Sequence, residues 1–315
     1  MILTVTPNPS LDRTYEVPAL ERGEVVRATG ERMDPGGKGV NVSRAVAAAG
    51  RRTVAVLPLG GAPGALVAAL LDAQGIEVAP VPVAGATRSN IALAESDGLL
   101  TKINAPGPEL SAQEQELLLD TVRAQSREAD WIACCGSLPR GLAPSWYADV
   151  VTRAHAAGAR IALDTSGRAL SEALRARPDV VKPNAEELSA AVARPLATVG
   201  DALQAAEEVR ALGARAVLAS LGADGQLLVS EAGAWFGSAR VSAVRSNVGA
   251  GDASLAGFLI AGGTGPEALA SAVAHGAAAV TLPGSVMPAP ADLDPAAVTV
   301  TADIPLDRVL TEPTP

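Results

Sequence analysis

The chain has 315 residues, of which 48% are hydrophobic, 19% are charged and only 2% are aromatic. This length is ample for a large core, in one big α/β domain or two smaller ones, and the scarcity of aromatic residues leaves Ala, Val and Leu to build it. A net charge of −9 argues against nucleic acid or an anionic membrane surface as a partner.

Targeting signals and cysteines indicate the compartment. The segment Met1–Pro7 has a strand pattern without a basic leader, which predicts no signal peptide. The uncharged run Ala268–Pro290 is interrupted by a Pro-Gly pair, so we expect a core helix and a loop there and not a membrane span. Cys134 and Cys135 are neighbours in a predicted strand and would face opposite sides of it. We therefore expect two buried free thiols in a reducing cytoplasm.

Strands and helices are predicted to alternate along most of the chain. Short apolar runs rich in β-branched residues predict strands at Ile2–Thr6, Thr53–Leu57, Trp131–Cys135, Arg160–Leu163, Asp179–Val181 and Arg215–Ala219. Amphipathic stretches between most of these runs predict helices at Ser111–Arg127, Pro144–Ala157 and Asp201–Leu212. This alternation predicts parallel strands with helices on both faces of the sheet. In such folds, ligands bind at the carboxyl ends of the strands.

Two regions depart from the alternation. Residues 13–32 and 87–104 alternate apolar and polar residues with a period of two, and neither contains a predicted helix. This pattern is typical of half-exposed antiparallel strands. The two regions would form one small sheet, a lid that covers the ligand site.

The segment Asn247–Phe258 is the strongest candidate for a catalytic site. Gly249 and Gly251 make a tight turn with bare backbone amides, and an apolar helical run follows from Leu255. A turn that opens a helix binds anions, because its N–H groups and the positive end of the helix dipole point outward. Asp252 lies in the same turn, where a carboxylate is useful if it removes a proton from a hydroxyl that attacks a bound phosphate. The helix dipole is expected to keep this carboxylate ionised.

The two glycine-rich segments have other interpretations. A dinucleotide fingerprint fails at the turn because Ser254 occupies the third glycine position. A plain structural alternative makes Asp252 the N-cap of a packed helix. The segment Asp34–Asn41 is not a Walker A loop, because Gly39 occupies the Ser or Thr position and Arg32 occupies the first glycine position.

Charged side chains in loops are further candidates for ligand contacts. The glycine-rich segment presents Lys38 and Asn41 to a polar ligand as the chain enters a predicted helix at Val42–Ala49. Lys38, Lys102 and Lys182 are the only lysines, and all three lie in loop-like segments. Arg88 lies in the predicted lid, where its planar fork suits a phosphate, although a solvated surface arginine is the commoner case.

Three loops that follow strands carry the remaining candidates. Asn184 and Glu187 lie three residues apart on a starting helix and would hold Mg²⁺ through waters, or simply form an N-cap with an acidic first turn. The turn Ser220–Gly225 suits a close approach to a nucleotide, and Gly136–Gly141 would line the pocket.

Five motifs occur together and in order: Asn8–Asp12, Gly36–Asn41, Gly136–Pro139, Lys182–Glu187 and Gly249–Asp252. In this combination the chain closely resembles the ribokinase-like (pfkB) carbohydrate kinases, and within them the 1-phosphofructokinase and tagatose-6-phosphate kinase branch. The match runs from Thr4 to about Pro283. The resemblance implies one ribokinase-like α/β domain over residues 1–315, a three-layer α/β/α sandwich with a mostly parallel sheet and a small β-sheet lid. In the wider family the lid often forms a homodimer contact.

The resemblance also implies a role for each matching residue. Asp252 would be the catalytic base, and the amides of Gly249, Ala250 and Gly251 would form an anion hole. The sugar would be held by Asp12, Gly37, Lys38, Asn41 and Ser137, and its existing phosphate by Arg88 and Asn90. ATP would contact Lys182, Ser220, Gly222 and Gly225, and Mg²⁺ would be organised by Asn184 and Glu187.

The implied activity is ATP- and Mg²⁺-dependent phosphorylation of D-fructose 1-phosphate to D-fructose 1,6-bisphosphate. Tagatose 6-phosphate and fructose 6-phosphate stay open as acceptors, because the candidate residues do not reveal which end of the sugar is held. A non-catalytic sugar-phosphate sensor on the same fold is a further alternative, which the intact Asp252 argues against. Ala253 stands where close relatives usually have Ser, and Lys102 falls where they often carry an acidic residue, so the resemblance gives Lys102 no role.

Overall fold

A computed structural model describes residues 1–312 and residue 314. These residues contain fourteen strands: β1 Ile2–Val5, β2 Ser10–Val17, β3 Gly30–Gly36, β4 Thr53–Leu59, β5 Glu77–Pro82, β6 Arg88–Glu95, β7 Leu100–Ile103, β8 Trp131–Cys135, β9 Arg160–Asp164, β10 Val180–Val181, β11 Ala216–Ser220, β12 Gln226–Ser230, β13 Gly233–Ala239 and β14 Val298–Thr301. The same residues contain nine α-helices: α1 Lys38–Ala48, α2 Gly61–Asp72, α3 Ala112–Gln125, α4 Trp146–Ala156, α5 Gly167–Leu174, α6 Ala185–Val192, α7 Val199–Ala211, α8 Ala250–Ile260 and α9 Gly265–Thr281.

The large sheet has ten strands in the order β14-β13-β12-β11-β10-β9-β8-β1-β4-β5. In this spatial order, the strands from β11 across to β5 run parallel to one another. Beyond β11, the strands β12, β13 and β14 extend the sheet in antiparallel pairing. The predicted parallel sheet is confirmed. The antiparallel extension was not predicted.

Helices cover both faces of this sheet, which explains why its central strands are continuous apolar runs. In β1, Leu3 and Val5 pack with residues of α3 to α7, whereas Ile2 packs with residues of α1, α8 and α9. Cys134 and Cys135 divide between the same two faces, and both are fully buried free thiols, as expected.

Local sequence signals set several helix boundaries. A capping box starts α3, since the Ser111 side chain accepts a hydrogen bond from the Glu114 backbone amide and the Glu114 carboxylate accepts one from the Ser111 backbone amide. Leu118 and Val122 then share the buried face of the helix. The predicted core helix after Ala268 is confirmed as α9. No helix in the described residues is both long and apolar enough to cross a membrane.

The lid is a separate four-stranded sheet in the order β3-β2-β6-β7. Its strands extend to Ser10 and Gly36, beyond the predicted range 13–32, and residues 18–29 form the connection between β2 and β3. The prediction of antiparallel strands was wrong for one pair, because β2 and β6 run parallel. Each follows a strand of the large sheet, β1 or β5, whose carboxyl ends lie at the same edge. Both therefore leave the sheet in the same direction.

Two predicted helix starts were too late. α1 begins at Lys38 and not at Val42, and α8 begins at Ala250 and not at Leu255. In both cases the preceding glycine has a positive φ, 119° at Gly37 and 80° at Gly249, so the chain turns sharply into the helix. The candidate residues in these turns therefore lie inside first helical turns.

Candidate active site

A turn rich in glycine opens α8 and exposes backbone donors. Gly249 is its N-cap, and the N–H groups of Ala250, Gly251 and Asp252 have no acceptor within the described part of the chain. Gly249 has a φ of 80°, a backbone conformation that favours glycine, so a larger residue would strain the turn. The helix start thus has the geometry of an anion site.

Asp252 is buried in the first turn of α8, with 8% of its surface exposed. It makes no capping hydrogen bond, so the alternative that it is merely the N-cap is wrong. The Asn41 amide donates a hydrogen bond of 2.8 Å to its Oδ2 atom. This contact joins α8 to α1 across the site.

The protonation of Asp252 differs from the expectation that the helix dipole keeps it fully ionised. Burial, followed by repulsion from Asp164, raises the pKa of Asp252 to about 7, against the opposing effects of Lys182, Asn41 and Lys38. Burial is the largest of these effects, because the carboxylate has lost most of its contact with water. A base with a pKa near the working pH is well matched to proton abstraction.

Asp164, at the end of β9, forms ion pairs with two lysines. It was not among the predicted site residues. It is fully buried, and its Oδ1 lies 2.6 Å from the Lys38 ammonium while its Oδ2 lies 3.0 Å from that of Lys182. Burial opposes ionisation of Asp164, but the two lysines hold its pKa below the ordinary value. A Cβ on Gly251 would be 3.2 Å from the Lys182 ammonium, so this cation lies against the anion-hole turn.

Lys38 connects two parts of the site. Its ammonium also lies 3.2 Å from Glu187 Oε1. Burial works against the charged form, yet Asp164 and Glu187 raise the pKa of Lys38 above its ordinary value. Lys38 and Asn41 are three residues apart on α1 and so share one face, which places a cation beside the buried Asp252.

Asn184 and Glu187 form the N-cap that was predicted as their structural alternative. The Asn184 side chain accepts from the Glu187 amide at 2.8 Å, and Glu187 Oε2 accepts from the Asn184 amide at 3.0 Å. Neither bond uses all the lone pairs of these oxygens. Within residues 1–312 and 314, no group of three or more His, Cys, Asp and Glu is placed to hold a metal directly. The donor set therefore fits Mg²⁺ only through waters and substrate oxygens.

A cleft of about 390 Å³ lies between the lid and the carboxyl ends of the central strands. Its lining includes Thr6, Asn8, Gly37, Lys38, Arg88, Asn90, Asn104, Ser137, Thr165 and Glu187. The volume suits a small polar ligand. A larger groove of about 520 Å³ lies around Ala190 and Arg194 but contains none of the candidate residues, so we assign the ligand to the cleft.

Lid residues surround the cleft with a hydrogen-bonded set. Asp12 Oδ1 accepts from the Ser10 hydroxyl at 2.6 Å and from the Asn90 amide at 2.9 Å. A Cβ on Gly36 would collide with the Asp12 carboxylate, so only glycine fits at this position of the neighbouring strand β3. On the opposite side, Ser137 accepts a hydrogen bond of 3.3 Å from Asn8.

Arg88 is anchored and not solvated. Its Nη1 donates to the Ala105 carbonyl at 2.9 Å, and its Nη2 donates to the Asn8 carbonyl at 3.0 Å. Its Nε is buried and has no acceptor among the described residues. Burial lowers the pKa of Arg88, and nearby Asp12 only partly compensates. The guanidinium therefore retains unused donors at the edge of the cleft.

The turn after β11 lies next to the Asn184 cap. The Ser220 amide donates to the Pro183 carbonyl at 3.0 Å, so Lys182 and Ser220 end neighbouring strands at one edge. Gly222 and Gly225 both have positive φ, 60° and 125°. A Cβ at Gly225 would collide with the Gly237 carbonyl. Gly225 is thus packed against β13, whereas Gly222 is exposed and has no described atom within 4 Å of its Cβ position, so the turn is open to a ligand at Gly222.

Comparison with known proteins decides the family. The model of the pfkB family carbohydrate kinases matches residues 6–292. The chain belongs to this pfkB family. The 1-phosphofructokinase of Rhodobacter capsulatus is 37% identical over 305 residues, covering 95% of this chain and 96% of the relative. The 1-phosphofructokinase of Haloferax volcanii is 43% identical over 263 residues, covering 83% and 84%. The crystal structure of phosphofructokinase-2 from Escherichia coli in complex with fructose-6-phosphate is similar with a TM-score of 0.86 at 32% identity, covering 92% and 96%.

This pfkB kinase has the expected ribokinase-like fold. Its predicted site residues lie at one edge of the large sheet or on the lid strands that face it. The residue missed from the sequence is Asp164, because the predicted strand Arg160–Leu163 stopped one residue short of it. A carboxylate at the carboxyl end of a buried strand was the available signal.

Proposed function

We infer that the protein transfers the γ-phosphoryl group of ATP to D-fructose 1-phosphate and forms D-fructose 1,6-bisphosphate. The observation that carries this inference is the burial of Asp252 in a helix turn whose amides have no acceptor among residues 1–312 and 314. Burial also raises the pKa of Asp252 to about 7. A base and an anion hole in one turn are the two groups that phosphoryl transfer to a hydroxyl needs.

In the proposed reaction, Asp252 removes the proton from the acceptor hydroxyl of the sugar. The resulting oxygen forms a bond to the γ-phosphorus while the bond to the β-phosphate oxygen breaks, so ADP leaves with the electron pair. The amides of Ala250 and Gly251, with the nearby Lys182, stabilise the charge that develops on the transferred group. Asp252 then releases its proton to water.

We propose that Mg²⁺ is held through waters by Asn184 and Glu187, since Glu187 lines the cleft and Asn184 is the N-cap bonded to it. The ion supplies charge neutralisation to the phosphate oxygens when bound. Ser220, Gly222 and Gly225 would border the nucleotide, since the ends of β10 and β11 bring this turn beside Lys182 and Asn184.

The sugar is proposed to lie in the 390 Å³ cleft, which Gly37, Lys38 and Ser137 line. Asp12 and Asn41 would reach it from beside the lining, where they bond to Asn90 and Asp252. Arg88 and Asn90 would hold its existing phosphate. In support, Arg88 is fixed by two backbone carbonyls and keeps a buried Nε donor without an acceptor among the described residues. Asn41 donates to Asp252 here, so it would orient the base as well as the sugar.

We also propose that the enzyme works in the cytoplasm as a homodimer joined through the lid. Exposed apolar side chains on the lid, namely Met33, Leu99, Leu100 and Ile103, support a protein contact there. The two buried free thiols fit a reducing compartment.

A coupled assay of ADP formation tests the substrate assignment. Fructose 1-phosphate, fructose 6-phosphate, tagatose 6-phosphate and fructose are compared by kcat/KM, and fructose 1-phosphate should give the highest value. No turnover of any of them would favour a sensor. A higher value for fructose 6-phosphate would favour the sugar that is bound in the E. coli phosphofructokinase-2 structure.

Arg88→Ala tests how the phosphate is held. Losing hydrogen bonds to a charged group should lower kcat/KM for fructose 1-phosphate by roughly 10–150-fold. Fructose, which lacks the phosphate, should be used equally well by both proteins. Arg13→Ala is the matched control, because Arg13 lies on the adjacent lid strand and pairs with Glu31 at 3.2 Å. Equal losses on both sugars would mean that Arg88 only supports the lid.

A further inference from the structure

The chain ends in a segment that crosses the molecule towards the proposed nucleotide turn. Residues 306–311, here called the C-terminal strap, run along the connection between α6 and α7. The Gly200 amide donates to the Leu306 carbonyl and the Val199 amide to the Arg308 carbonyl, both at 2.9 Å. Leu310 is buried, and its amide donates to the Ala197 carbonyl at 2.9 Å. The strap is therefore anchored at a fixed position before it reaches the turn.

The end of the strap binds one carboxylate with two donors. The Thr311 amide lies 2.7 Å from Asp224 Oδ2, and the Thr311 hydroxyl donates to Asp224 Oδ1 at 2.8 Å. Arg308 adds a longer bond of 3.4 Å to the Asp224 carbonyl, and its guanidinium lies 5.3 Å from the centre of the Phe236 ring. Asp224 lies within the turn Ser220–Gly225.

The turn itself has few internal constraints. Its own bonds are the Leu221 amide to the Gly225 carbonyl at 2.8 Å and the Asp224 amide to the Leu221 carbonyl at 3.1 Å. Gly222 is exposed and, like Gly225, has a left-handed backbone that glycine adopts freely, so ordering this turn costs more conformational entropy than ordering most segments. A turn that is ordered in advance binds its ligand more tightly, because the ligand does not bear that cost.

We propose that Thr311 is a positioning residue for the nucleotide site, which holds Asp224, and with it the turn Ser220–Gly225, in the conformation that receives ATP. The proposal rests on the proposed function, since it takes this turn as the border of the nucleotide. It gives the last residues of the chain a role at the active site, although they lie outside the family match at residues 6–292.

Thr311→Val in the full-length protein tests the proposal, because valine has the shape of threonine but removes the hydroxyl donor. Amide hydrogen exchange in a peptide covering residues 221–228 should become roughly 2–12-fold faster, the factor for one ordinary hydrogen bond, because Thr311 is exposed and water weakens its bond to the Asp224 carboxylate. The KM for ATP should rise by a similar factor, with kcat and the KM for the sugar phosphate unchanged. Thr311→Ser should restore both readouts.

Thr121→Val is the matched control, since the Thr121 hydroxyl bonds only to the Leu117 carbonyl within α3. Unchanged exchange in the turn, or faster exchange without a change in the KM for ATP, overturns the proposal. If the wild-type protein phosphorylates no sugar phosphate, the proposed function fails. ATP affinity measured by calorimetry then decides the role of Thr311: weaker binding by Thr311→Val supports it, and equal binding overturns it.

Discussion

Replacing Asp252 by Asn should show two effects of this carboxylate separately: how much it raises kcat, and how much its buried charge lowers the free energy of unfolding. The amide has nearly the same shape and still accepts the hydrogen bond from Asn41, but it cannot remove a proton. We expect kcat to fall by roughly 10²–10⁴-fold, the usual contribution of a positioned general base. In the wild-type enzyme, kcat/KM should fall about tenfold per pH unit below the pKa of about 7, because the protonated carboxyl is inactive.

The same substitution should stabilise the protein. Folding raises the pKa of Asp252 from its ordinary 3.8 to about 7, so the folded state binds a proton more tightly than the unfolded state does. Stability is therefore lost as the pH rises from 3.8 to about 7. At about 1.36 kcal/mol for each pH unit, the ionised carboxylate lowers the free energy of unfolding by about 4 kcal/mol above neutral pH. Asn carries no charge and removes this penalty.

Urea unfolding of both proteins, without ligands, measures the effect. The stabilisation by Asp252→Asn should be larger at about pH 8 than at about pH 5, by roughly 2–3 kcal/mol. Asp72→Asn, at the exposed end of α2, is the control and should show no such difference. A kcat within about threefold of wild type would show that Asp252 is not the base. A stabilisation independent of pH would show that its burial does not oppose its charge.

Three further predictions follow from contacts in the site. Glu187→Gln should raise the Mg²⁺ concentration that gives half-maximal rate, because it removes charge from the proposed water-mediated site; an unchanged magnesium titration would leave Glu187 only its capping role. Lys38→Met should move the acid limb of kcat/KM to higher pH, since Lys38 lowers the pKa of Asp252, whereas Lys102→Met on the exposed strand β7 should leave the limb in place. A shift of equal size in both variants would contradict this assignment. Ile103→Asp should convert the proposed dimer to a monomer in analytical ultracentrifugation, because it places a charge in the exposed apolar surface of the lid; a wild-type monomer would refute the lid contact.

Much of the sheet and most of the site could be predicted from local patterns, and the failures have physical reasons. The edge strand β5 contains Pro80 and Pro82, which argue against a strand unless one side of it has no partner. The parallel pairing of β2 with β6 depends on where two distant strands of the large sheet end, which no local pattern encodes. The relative direction of the two lid strands could therefore be seen only in the tertiary structure.

The electrostatics of the site were the least predictable part. A helix dipole and a buried environment act on Asp252 in opposite directions, and the sequence shows only the first. The depth of burial and the repulsion from Asp164 appear once β9 and α8 are packed together. Likewise, the sequence marked Lys38 and Lys182 as separate candidates for the sugar and for ATP, and it did not show that both pair with Asp164.

The two buried thiols make this protein a convenient background for chemical labelling. The sequence has two cysteines, and burial raises the pKa of both Cys134 and Cys135 well above the ordinary value. Thiol reagents react with the accessible thiolate, so the native cysteines should remain unmodified in the folded enzyme. A cysteine introduced at Val25, which is 81% exposed between β2 and β3 and lies outside the proposed dimer contact, would carry a fluorophore at one defined position. Movements of the lid during turnover thereby become observable without first removing any native residue.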